Sequence, residues 1–388
     1  EQSSWIWNTP NAHFIRHLPD EPIGYFSPDA LKSKMSIFQS GFDGILSYAV
    51  KANPHPDVLR CLTQNGVSVF DVASPAEIEM VRGIAPTAKL NYHNPVRSVQ
   101  EIAKAKSHGI ASWSVDALSE LDKLGDLPEG SEIAVRIKLS VAGGLYNFGE
   151  KFGAEPAQAV PLLKAVVARG LGPAITFHPG TQCLSPGAWE SYIKAASKIA
   201  QDAGVRLQTL NVGGGFPGDR GANPVDLKVI FNRIKAAKER YFSDHNPVLI
   251  CEPGRGLVAD AFALVLRVKN MRPNGAVVLN DGIYGALAEW RDMPPIYPRH
   301  IAVFNPKGAE RRGKLAPRVI FGPTCDSLDR LSDPLALPAD IAEGDFVLIQ
   351  GTGAYSAVLT SRFNGYGCAK QIFCTALKST SRHFQLSG

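Results

Sequence analysis

The sequence predicts a (β/α)8 barrel joined to a second, mainly β domain. Eight apolar, strand-like runs alternate with longer amphipathic segments between about residues 47 and 253. After Gly254 the apolar runs are instead separated by loops rich in proline and glycine. The chain has 388 residues, well above the roughly 150 of a typical single domain. We therefore expect two domains of different kinds.

The eight predicted strands are short, apolar or β-branched, and bounded by glycine, proline or polar residues. They cover residues 47–50, 67–72, 89–92, 111–115, 132–139, 174–177, 207–212 and 248–251. Amphipathic patterns long enough for crossover helices lie between them, as at residues 99–107, 157–168, 189–203 and 225–240. Eight βα units in roughly 250 residues suit a closed barrel better than an open doubly wound sheet.

The second domain is predicted from the strand-like runs that follow the barrel, at residues 263–268, 276–279, 318–321 and 346–350. The first 26 residues fit no βα unit, so we expect them to add a strand to this domain. The predicted organisation is a barrel over residues 27–262 and a mainly β domain built from both chain ends, residues 1–26 and 263–388.

Composition argues against several classes of protein. The 45% hydrophobic and 20% charged fractions are typical of a globular chain rather than a disordered one. A net charge of +5 without a long basic block makes nucleic acid an unlikely partner. The longest apolar stretch, residues 256–268, is interrupted by Asp260 and is shorter than the roughly 20 residues of a membrane span. Six cysteines without a CxxC pair, and no secretory leader pattern, predict a cytoplasmic protein.

Polar and charged residues end many of the predicted barrel strands. Since the chemistry of a (β/α)8 barrel gathers at the carboxyl ends of its strands, this set forms one candidate site. Any single member could equally belong to a solvated loop or a structural ion pair. The set comprises Lys51, Asp71, His93, Asp116, Arg136, His178, Gly213, Gly214, Gly215 and Glu252.

Lys51 directly follows an apolar strand in the segment YAVKANPHP. Partial desolvation there disfavours the ammonium and frees an amine for Schiff-base chemistry. The alternative is an ordinary exposed lysine at a strand end.

The segment NVGGGFPG matches the dinucleotide-binding pattern GxGxxG at Gly213, Gly215 and Gly218. Its context differs, because it follows the seventh strand and residues 219–224 separate it from the next helix. Consecutive glycines can instead present backbone N–H groups to one phosphate, and barrels commonly place phosphate sites after strands seven and eight. The loop after the eighth strand, EPGRG, would add Gly254 and Arg255.

Three further residues have two interpretations each. Cys325, in the loop GPTCDSLD, is either a reactive thiol or a small buried apolar residue. Tyr355, in GTGAY, is either a ligand-binding or a packing tyrosine. His178, in FHPGTQC, is a ring-stacking or acid–base group, or a histidine satisfied by its surroundings.

Eight segments occur in order between Tyr48 and Tyr355: YAVKAN, FDVASPAEI, FHPGTQ, GGGFPG, CEPGRG, LNDGIYG, GPTCDSLD and GAY. Together they resemble the ornithine decarboxylase group of fold-type III decarboxylases, which depend on pyridoxal 5'-phosphate (PLP) and act on ornithine, lysine, arginine or diaminopimelate. The resemblance implies an alanine racemase-like barrel with a second β domain. This agrees with the fold predicted from the strand pattern.

The resemblance implies that Lys51 forms a Schiff base with PLP and that Glu252 pairs with the pyridine nitrogen. A carboxylate there keeps the ring able to accept electrons as CO2 leaves. His178 would lie against the ring face. The other implied cofactor contacts are Asp71, Arg136, Thr181, Gly213, Gly214, Gly215, Gly254, Arg255 and Tyr355. No metal is expected.

The resemblance also implies a homodimer in which Cys325 and Asp326 reach the active site of the neighbouring subunit. Cys325 would protonate the substrate at Cα. Asp326 and Asp281 would hold the distal ammonium of a small basic amino acid, since two carboxylates beside one cation form a selective pocket. Tyr284 would contribute to the same substrate site.

The leading hypothesis is decarboxylation of L-ornithine to putrescine and CO2, a step of polyamine biosynthesis. Alanine racemases of this fold place an arginine at the ring nitrogen, so Glu252 favours decarboxylation over racemisation. The alternatives are a lysine, arginine or diaminopimelate decarboxylase, where Arg291 beside Glu289 could bind a second carboxylate, a non-catalytic paralogue resembling antizyme inhibitor, and a dinucleotide-dependent oxidoreductase. The joint presence of Lys51, Glu252, Arg255 and Cys325 argues against the non-catalytic paralogue.

Overall fold

The chain divides into two compact units, and a closed barrel of eight parallel strands forms one of them. The computed structural model describes residues 6–141, 150–219, 226–292, 300–368 and 370–377. The barrel unit comprises Met35–Pro217 and Val225–Gly256. The other unit comprises Glu1–Lys34, Gly218–Pro224 and Leu257–Gly388. The predicted boundaries at residues 27 and 262 assigned residues 27–34, 218–224 and 257–262 to the barrel instead.

Helices and strands alternate through the barrel unit, whereas strands predominate in the other. The α-helices of the described residues are α1 (Pro10–His17), α2 (Pro28–Gly41), α3 (Pro56–Gln64), α4 (Pro75–Ile84), α5 (Val99–Ser107), α6 (Leu118–Leu124), α7 (Pro156–Ala168), α8 (Pro186–Ala203), α9 (Leu227–Tyr241), α10 (Arg255–Val258) and α11 (Ala288–Asp292). The first nine strands are β1 (Ile23–Phe26), β2 (Ile45–Ala49), β3 (Val69–Val72), β4 (Lys89–Tyr92), β5 (Ser112–Val115), β6 (Glu132–Arg136), β7 (Gly172–Thr176), β8 (Thr209–Asn211) and β9 (Val248–Cys251). The remaining strands are β10 (Phe262–Met271), β11 (Val277–Leu279), β12 (Ile301–Phe304), β13 (Leu315–Arg318), β14 (Ile320–Phe321), β15 (Leu335–Pro338), β16 (Phe346–Gln350) and β17 (Lys370–Phe373).

The barrel is formed by β2 to β9 in sequence order, each strand parallel to the next, and β9 closes it against β2. All eight strands predicted from the sequence are present, so the predicted fold class is confirmed. The strand predicted at residues 132–139 ends earlier, at Arg136. Beyond it Ile137 forms only an isolated bridge, and the Leu139 N–H donates to the Tyr192 hydroxyl at 3.1 Å.

Local side-chain chemistry explains where several barrel helices begin. Ser98 accepts a hydrogen bond from the Glu101 amide while the Glu101 carboxylate accepts one from the Ser98 amide, a capping box that starts α5 at its predicted residue. The Ser74 side chain likewise caps α4. Proline at the first turn suits a helix start because its missing N–H has no partner there anyway, and Pro186 starts α8 in this way.

Aromatic side chains fill the space between the barrel strands and the outer helices. Phe216 packs against Phe38, Trp189 and Phe231 with ring centroids 5.1 to 5.8 Å apart. Phe177 stacks on Tyr192 at 4.7 Å. All five of the rings other than Phe38 in these contacts are at most 3% exposed, and this packing fixes the strand ends that carry the polar residues.

The second unit is built on a seven-stranded sheet in which β12, β16, β10, β1 and β17 are neighbours in that order. Strand β1 pairs antiparallel with β10 and parallel with β17, so the first and last strands of the chain lie side by side. The prediction that the first 26 residues add a strand here is therefore confirmed. Phe14 of α1 packs on Phe346 with ring centroids 4.9 Å apart and joins the helix to this core. None of the described helices has the length and apolar character needed to cross a bilayer.

Candidate active site

The polar residues predicted at the barrel strand ends do gather at the carboxyl ends of the parallel strands. Asp71 and Arg136 belong to β3 and β6, and the others lie in the segments that directly follow a strand. Lys51 lies in a short 3-10 turn, Val50–Ala52, immediately after β2. The segments after β4, β5, β7, β8 and β9 carry His93, Asp116, His178, the glycines Gly213, Gly214 and Gly215, and Glu252.

Lys51 and Asp71 form an ion pair across neighbouring strands. Lys51 Nζ lies 3.2 Å from Asp71 Oδ2, and the side chains are 45% and 3% exposed respectively. Burial and the nearby Glu252 raise the pKa of Asp71 although Lys51 partly opposes the shift. A buried carboxylate thus holds the Lys51 amine at the strand ends while the amine stays accessible from outside.

Glu252 is a buried, ionised carboxylate, 8% exposed. Its Oε1 accepts hydrogen bonds from His93 Nδ1 and from Asn211 Nδ2, each at 2.6 Å. Burial alone would raise the pKa of Glu252, but His93, Lys51 and the Asn211 hydrogen bond outweigh it and bring the pKa to about 2. The site therefore presents a permanent negative charge.

His178 is a neutral imidazole in this site. Burial, together with the positive charges of Lys51 and Arg136, lowers its pKa to about 3. Its Nδ1 accepts a hydrogen bond from the Gly180 amide at 3.1 Å, which fixes the ring. A neutral ring in this position suits face-to-face contact with a flat ligand better than proton donation.

The loop after β8 brings backbone close to backbone, and only glycine permits this. Gly213 and Gly215 have φ values of +66° and +84°, and a Cβ on them would overlap the carbonyl oxygens of Phe177 and Gly180. The next helix, α9, begins at Leu227, so these glycines do not open directly into a helix as a dinucleotide fingerprint does.

A positive charge accompanies the glycine loop within the barrel unit. Arg255, 6% exposed, follows Gly254 and directs Nη2 toward Thr181 Oγ1 at 3.5 Å. Amide groups, a hydroxyl and a guanidinium are the donors that bind phosphate. With the amine of Lys51 and the carboxylate of Glu252, the donor set matches the aldehyde, pyridine nitrogen and phosphate of PLP. These residues therefore fit the cofactor implied by the sequence resemblance.

Asp71, His93 and Glu252 also meet a geometric condition for a metal site, since one potential ligand atom of each lies within 4.8 Å of the others. Their atoms have other partners, however. His93 Nε2 lies 2.9 Å from Ser112 Oγ, His93 Nδ1 contacts Glu252, and Asp71 pairs with Lys51. The ammonium of Lys51 supplies the positive charge that a metal would otherwise bring.

The predicted residues of the second unit have different surroundings. Tyr284 donates a 2.5 Å hydrogen bond to Asp326 Oδ2, and the neighbouring Cys325 is exposed. Asp281 is 1% exposed and accepts hydrogen bonds from the amides of Gly282 and Ala286, with burial raising its pKa to about 6. The structure thus joins Tyr284 to Asp326, whereas Asp281 bonds to the backbone of its own turn. Tyr355 adopts a left-handed backbone, with φ of 54°.

Sequence reasoning gave no role to three buried residues that surround Glu252. These are His93, Ser112 and Asn211. His93 was recognised only as a strand-end residue. The available signal for Asn211 was its position directly before the glycine run.

Comparison with known proteins supports the same assignment. Residues 29–259 match the family described as pyridoxal-dependent decarboxylase, pyridoxal binding domain. The lysine/ornithine decarboxylase of Selenomonas ruminantium is 33% identical over 335 residues, which cover 84% of this chain and 82% of that protein. Ornithine decarboxylase 2 of Drosophila melanogaster is 32% identical over 93% of each chain.

A solved structure of SrLDC in complex with PLP and cadaverine superposes with a TM-score of 0.79 at 30% identity and covers 92% of each chain. The matched family segment begins in α2 and ends just after α10, so it includes every strand of the barrel and every strand-end residue described above. The chain therefore belongs to the pyridoxal-dependent decarboxylase family, and its cofactor is PLP.

Proposed function

We propose that this chain decarboxylates a basic amino acid, with L-ornithine as the preferred substrate and putrescine and CO2 as products. One observation carries the reaction type: the amine of Lys51 and the ionised carboxylate of Glu252 lie at the same ring of strand ends. The names of the relatives, lysine/ornithine decarboxylase and ornithine decarboxylase 2, support the substrate class. Formation of putrescine would place the enzyme in polyamine biosynthesis.

Each residue of the barrel site has a separate task in this proposal. When bound, PLP accepts the electron pair that is released as the Cα–carboxylate bond breaks. Lys51 holds the cofactor through its amine, and Glu252 keeps a proton on the pyridine nitrogen because its own pKa, about 2, leaves it ionised. His178 supports the ring face as a neutral imidazole. Arg136 and Asp71 set the charge around the ring.

The phosphate of PLP would bind at the loops after β7, β8 and β9. The amides of Gly213, Gly214 and Gly215 contribute N–H donors, and Arg255 contributes a cation beside the Thr181 hydroxyl. Gly254 lets the chain turn into α10 beside them. Tyr355 would add a further phosphate contact.

We propose that Cys325 and Asp326 complete the active site of a second copy of this chain. Cys325 would deliver the thiol proton to the substrate Cα after CO2 has left, and Asp326 would bind the distal ammonium. The exposure of Leu328, 71%, and of Phe363, 42%, near this loop supports a protein partner, because large apolar side chains seldom remain in water. The Cys325 amide donates to Asn364 Oδ1 at 3.1 Å, which links the loop to the Phe363 segment.

Among the two carboxylates predicted to bind the substrate ammonium, Asp326 is the better candidate. It is paired with the Tyr284 hydroxyl, and its pKa is lowered by that hydrogen bond, so it carries a full negative charge at neutral pH. Asp281 is committed to backbone amides. We propose that Asp281 shapes the turn that carries Tyr284 and that Asp326 contacts the substrate.

A side-by-side assay of ornithine, lysine, arginine and diaminopimelate, with CO2 release and amine products measured, tests the proposal. We expect the highest kcat/KM for ornithine, with lysine second. A preference for lysine would move the assignment to cadaverine formation, the product bound to SrLDC. Absence of CO2 from all four substrates, in protein reconstituted with PLP, would favour a non-catalytic paralogue.

The six cysteines all lie in described segments and form no disulfide with one another. This supports the proposal that the protein works in a reducing compartment, the cytoplasm.

A further inference from the structure

His93 lies at the centre of a buried chain of hydrogen bonds behind Glu252. It follows β4 directly and is 5% exposed. Its Nδ1 lies 2.6 Å from Glu252 Oε1, and its Nε2 lies 2.9 Å from the hydroxyl of Ser112 on β5. The imidazole is therefore held from both sides, by one barrel strand and by the residue after another.

The two oxygens of the Glu252 carboxylate have different surroundings. Both His93 Nδ1 and Asn211 Nδ2 approach Oε1, each at 2.6 Å, and Asn211 is itself fixed because its Oδ1 accepts the Gly213 amide at 2.8 Å. In the described part of the chain, Oε2 forms no hydrogen bond. One oxygen is thus anchored while the other remains for a ligand.

The geometry points to His93 as the positioning residue of the decarboxylase site, which anchors Glu252 through Oε1 so that Oε2 meets the pyridine nitrogen of PLP. This inference rests on the proposed function, in which Glu252 is the partner of that nitrogen. His93 acts through Glu252 and contacts neither substrate nor cofactor.

The surroundings of His93 keep its Nδ1 a donor. Burial by itself disfavours the imidazolium, but the charges of Glu252, Asp71 and Glu132, and the hydrogen bond to Glu252, raise the pKa of His93 above its ordinary value. Whether Ser112 donates to Nε2 or accepts from it, Nδ1 carries a hydrogen toward the ionised Glu252. Supporting residues of this kind typically contribute about 10- to 100-fold to the affinity or activity of the site that they orient.

The test uses the full-length protein and compares four variants with wild type. His93→Phe keeps a ring but removes both nitrogens, and His93→Asn keeps an N–H donor close to the position of Nδ1. Ser112→Ala removes the support behind His93, and Glu252→Gln is the reference for loss of the carboxylate. Each apoprotein is titrated with PLP to obtain its Kd. The reconstituted enzymes then give kcat, KM and the pH at which the visible cofactor absorbance changes.

We expect His93→Phe to weaken PLP binding about tenfold and to lower kcat about 10- to 100-fold with little change in KM. The absorbance transition should shift in the same direction as in Glu252→Gln, and Ser112→Ala should give a smaller shift. His93→Asn should recover most of the affinity and of kcat. A role in packing alone would not produce recovery by Asn, which is smaller than the histidine ring.

The outcomes separate this inference from the proposed function. If Glu252→Gln keeps wild-type kcat and PLP affinity, the proposed role of Glu252 is wrong. If Glu252→Gln is impaired while His93→Phe matches wild type, only the role of His93 is wrong. Should His93→Phe not fold, His93→Ala with and without added imidazole replaces it, and failure of imidazole to restore kcat contradicts the inference. A loss on dialysis against EDTA that Zn2+ reverses would assign His93 to a metal site instead.

Discussion

Lys51 is the residue on which covalent attachment of the cofactor depends. Its amine is 45% exposed beside the buried Asp71, so it is both oriented and accessible. Borohydride treatment of the PLP-loaded protein should fix the cofactor on the peptide that contains Lys51, as mass spectrometry would show. Lys51→Ala should lose this product and the visible absorbance, whereas Lys104→Ala, on the outer helix α5, should keep both. Fixation on a different lysine would contradict the assignment.

Cys325 is the residue that we expect to move a proton during turnover. General acid catalysis typically contributes about 10²- to 10⁴-fold, so Cys325→Ala should lower kcat by that factor while PLP affinity stays unchanged. Ser327→Ala, in the same exposed loop, is the matched control and should resemble wild type. Steady-state kinetics with ornithine checks both variants. A wild-type kcat in Cys325→Ala would remove the thiol from the mechanism.

At the same scale, the sequence identified most strand-end residues but gave His93 no role. The reason is distance along the chain: His93 and Glu252 are 159 positions apart, and their hydrogen bond exists only because β4 and β9 end at the same rim. The fate of Asp281 was hidden for the opposite reason. Its partners, the amides of Gly282 and Ala286, are local, and the turn that exposes them to the carboxylate is not evident from composition.

Among the elements, the loop after β8 depends most strictly on glycine. Gly213 and Gly109 have nearly the same left-handed φ, +66° and +65°, but a Cβ meets the Phe177 carbonyl oxygen at Gly213 and nothing within 4 Å at Gly109. Gly109→Ala should therefore cost only the left-handed backbone penalty, about 1–2 kcal/mol. Gly213→Ala should cost more and should also weaken PLP binding. Urea unfolding and PLP titration of the two variants check this, and equal effects would contradict the steric explanation.

Local signals determined which elements the sequence could predict accurately. The capping box of Ser98 and Glu101 marks the start of α5, and its predicted range was correct. The strand predicted at residues 132–139 was too long because the apolar pattern continues past Arg136, whereas the hydrogen-bonded ladder with β7 stops there. Strand ends are thus set by the neighbouring strand, which a single-sequence pattern does not contain.

At the scale of the whole molecule, shared active sites predict complementation. Lys51→Ala and Cys325→Ala would each be inactive or nearly so as homodimers. Random mixing makes about half of the dimers mixed, and each mixed dimer has one intact site, so activity should recover to about a quarter of wild type. Reversible dissociation and reassociation of the two purified variants, followed by the CO2 assay, measures this. No recovery from a mixture shown to contain mixed dimers would place both residues in one subunit's site.

The second unit should make stability depend on pH through His13. Burial and the neighbouring His17 lower the pKa of His13 to about 4, and its Nδ1 lies 2.8 Å from the Tyr25 hydroxyl. The unfolded chain therefore takes up a proton at higher pH than the folded one. The stability contribution is present above about pH 6.5 and is lost as the pH falls toward 4, by about 2 kcal/mol between pH 7 and pH 5.

Urea unfolding at both pH values measures this loss. His13→Gln should show a smaller difference between pH 7 and pH 5 than wild type. His108→Gln, at the end of α5, is the matched control and should keep the wild-type difference. An unchanged pH dependence in His13→Gln would show that other groups are responsible.

The parallel pairing of β1 with β17 has a consequence for synthesis of the chain. Strand β1 ends at Phe26, but its neighbours begin at Phe262 and Lys370. At roughly 5–20 residues per second, a ribosome needs about 10 to 50 seconds after making β1 to produce β10, and longer to produce β17. During that interval both edges of β1 lack their partners, while the complete barrel segment is already available to fold. The nascent chain thus carries an unpaired N-terminal strand that chaperones must protect until the last residues emerge.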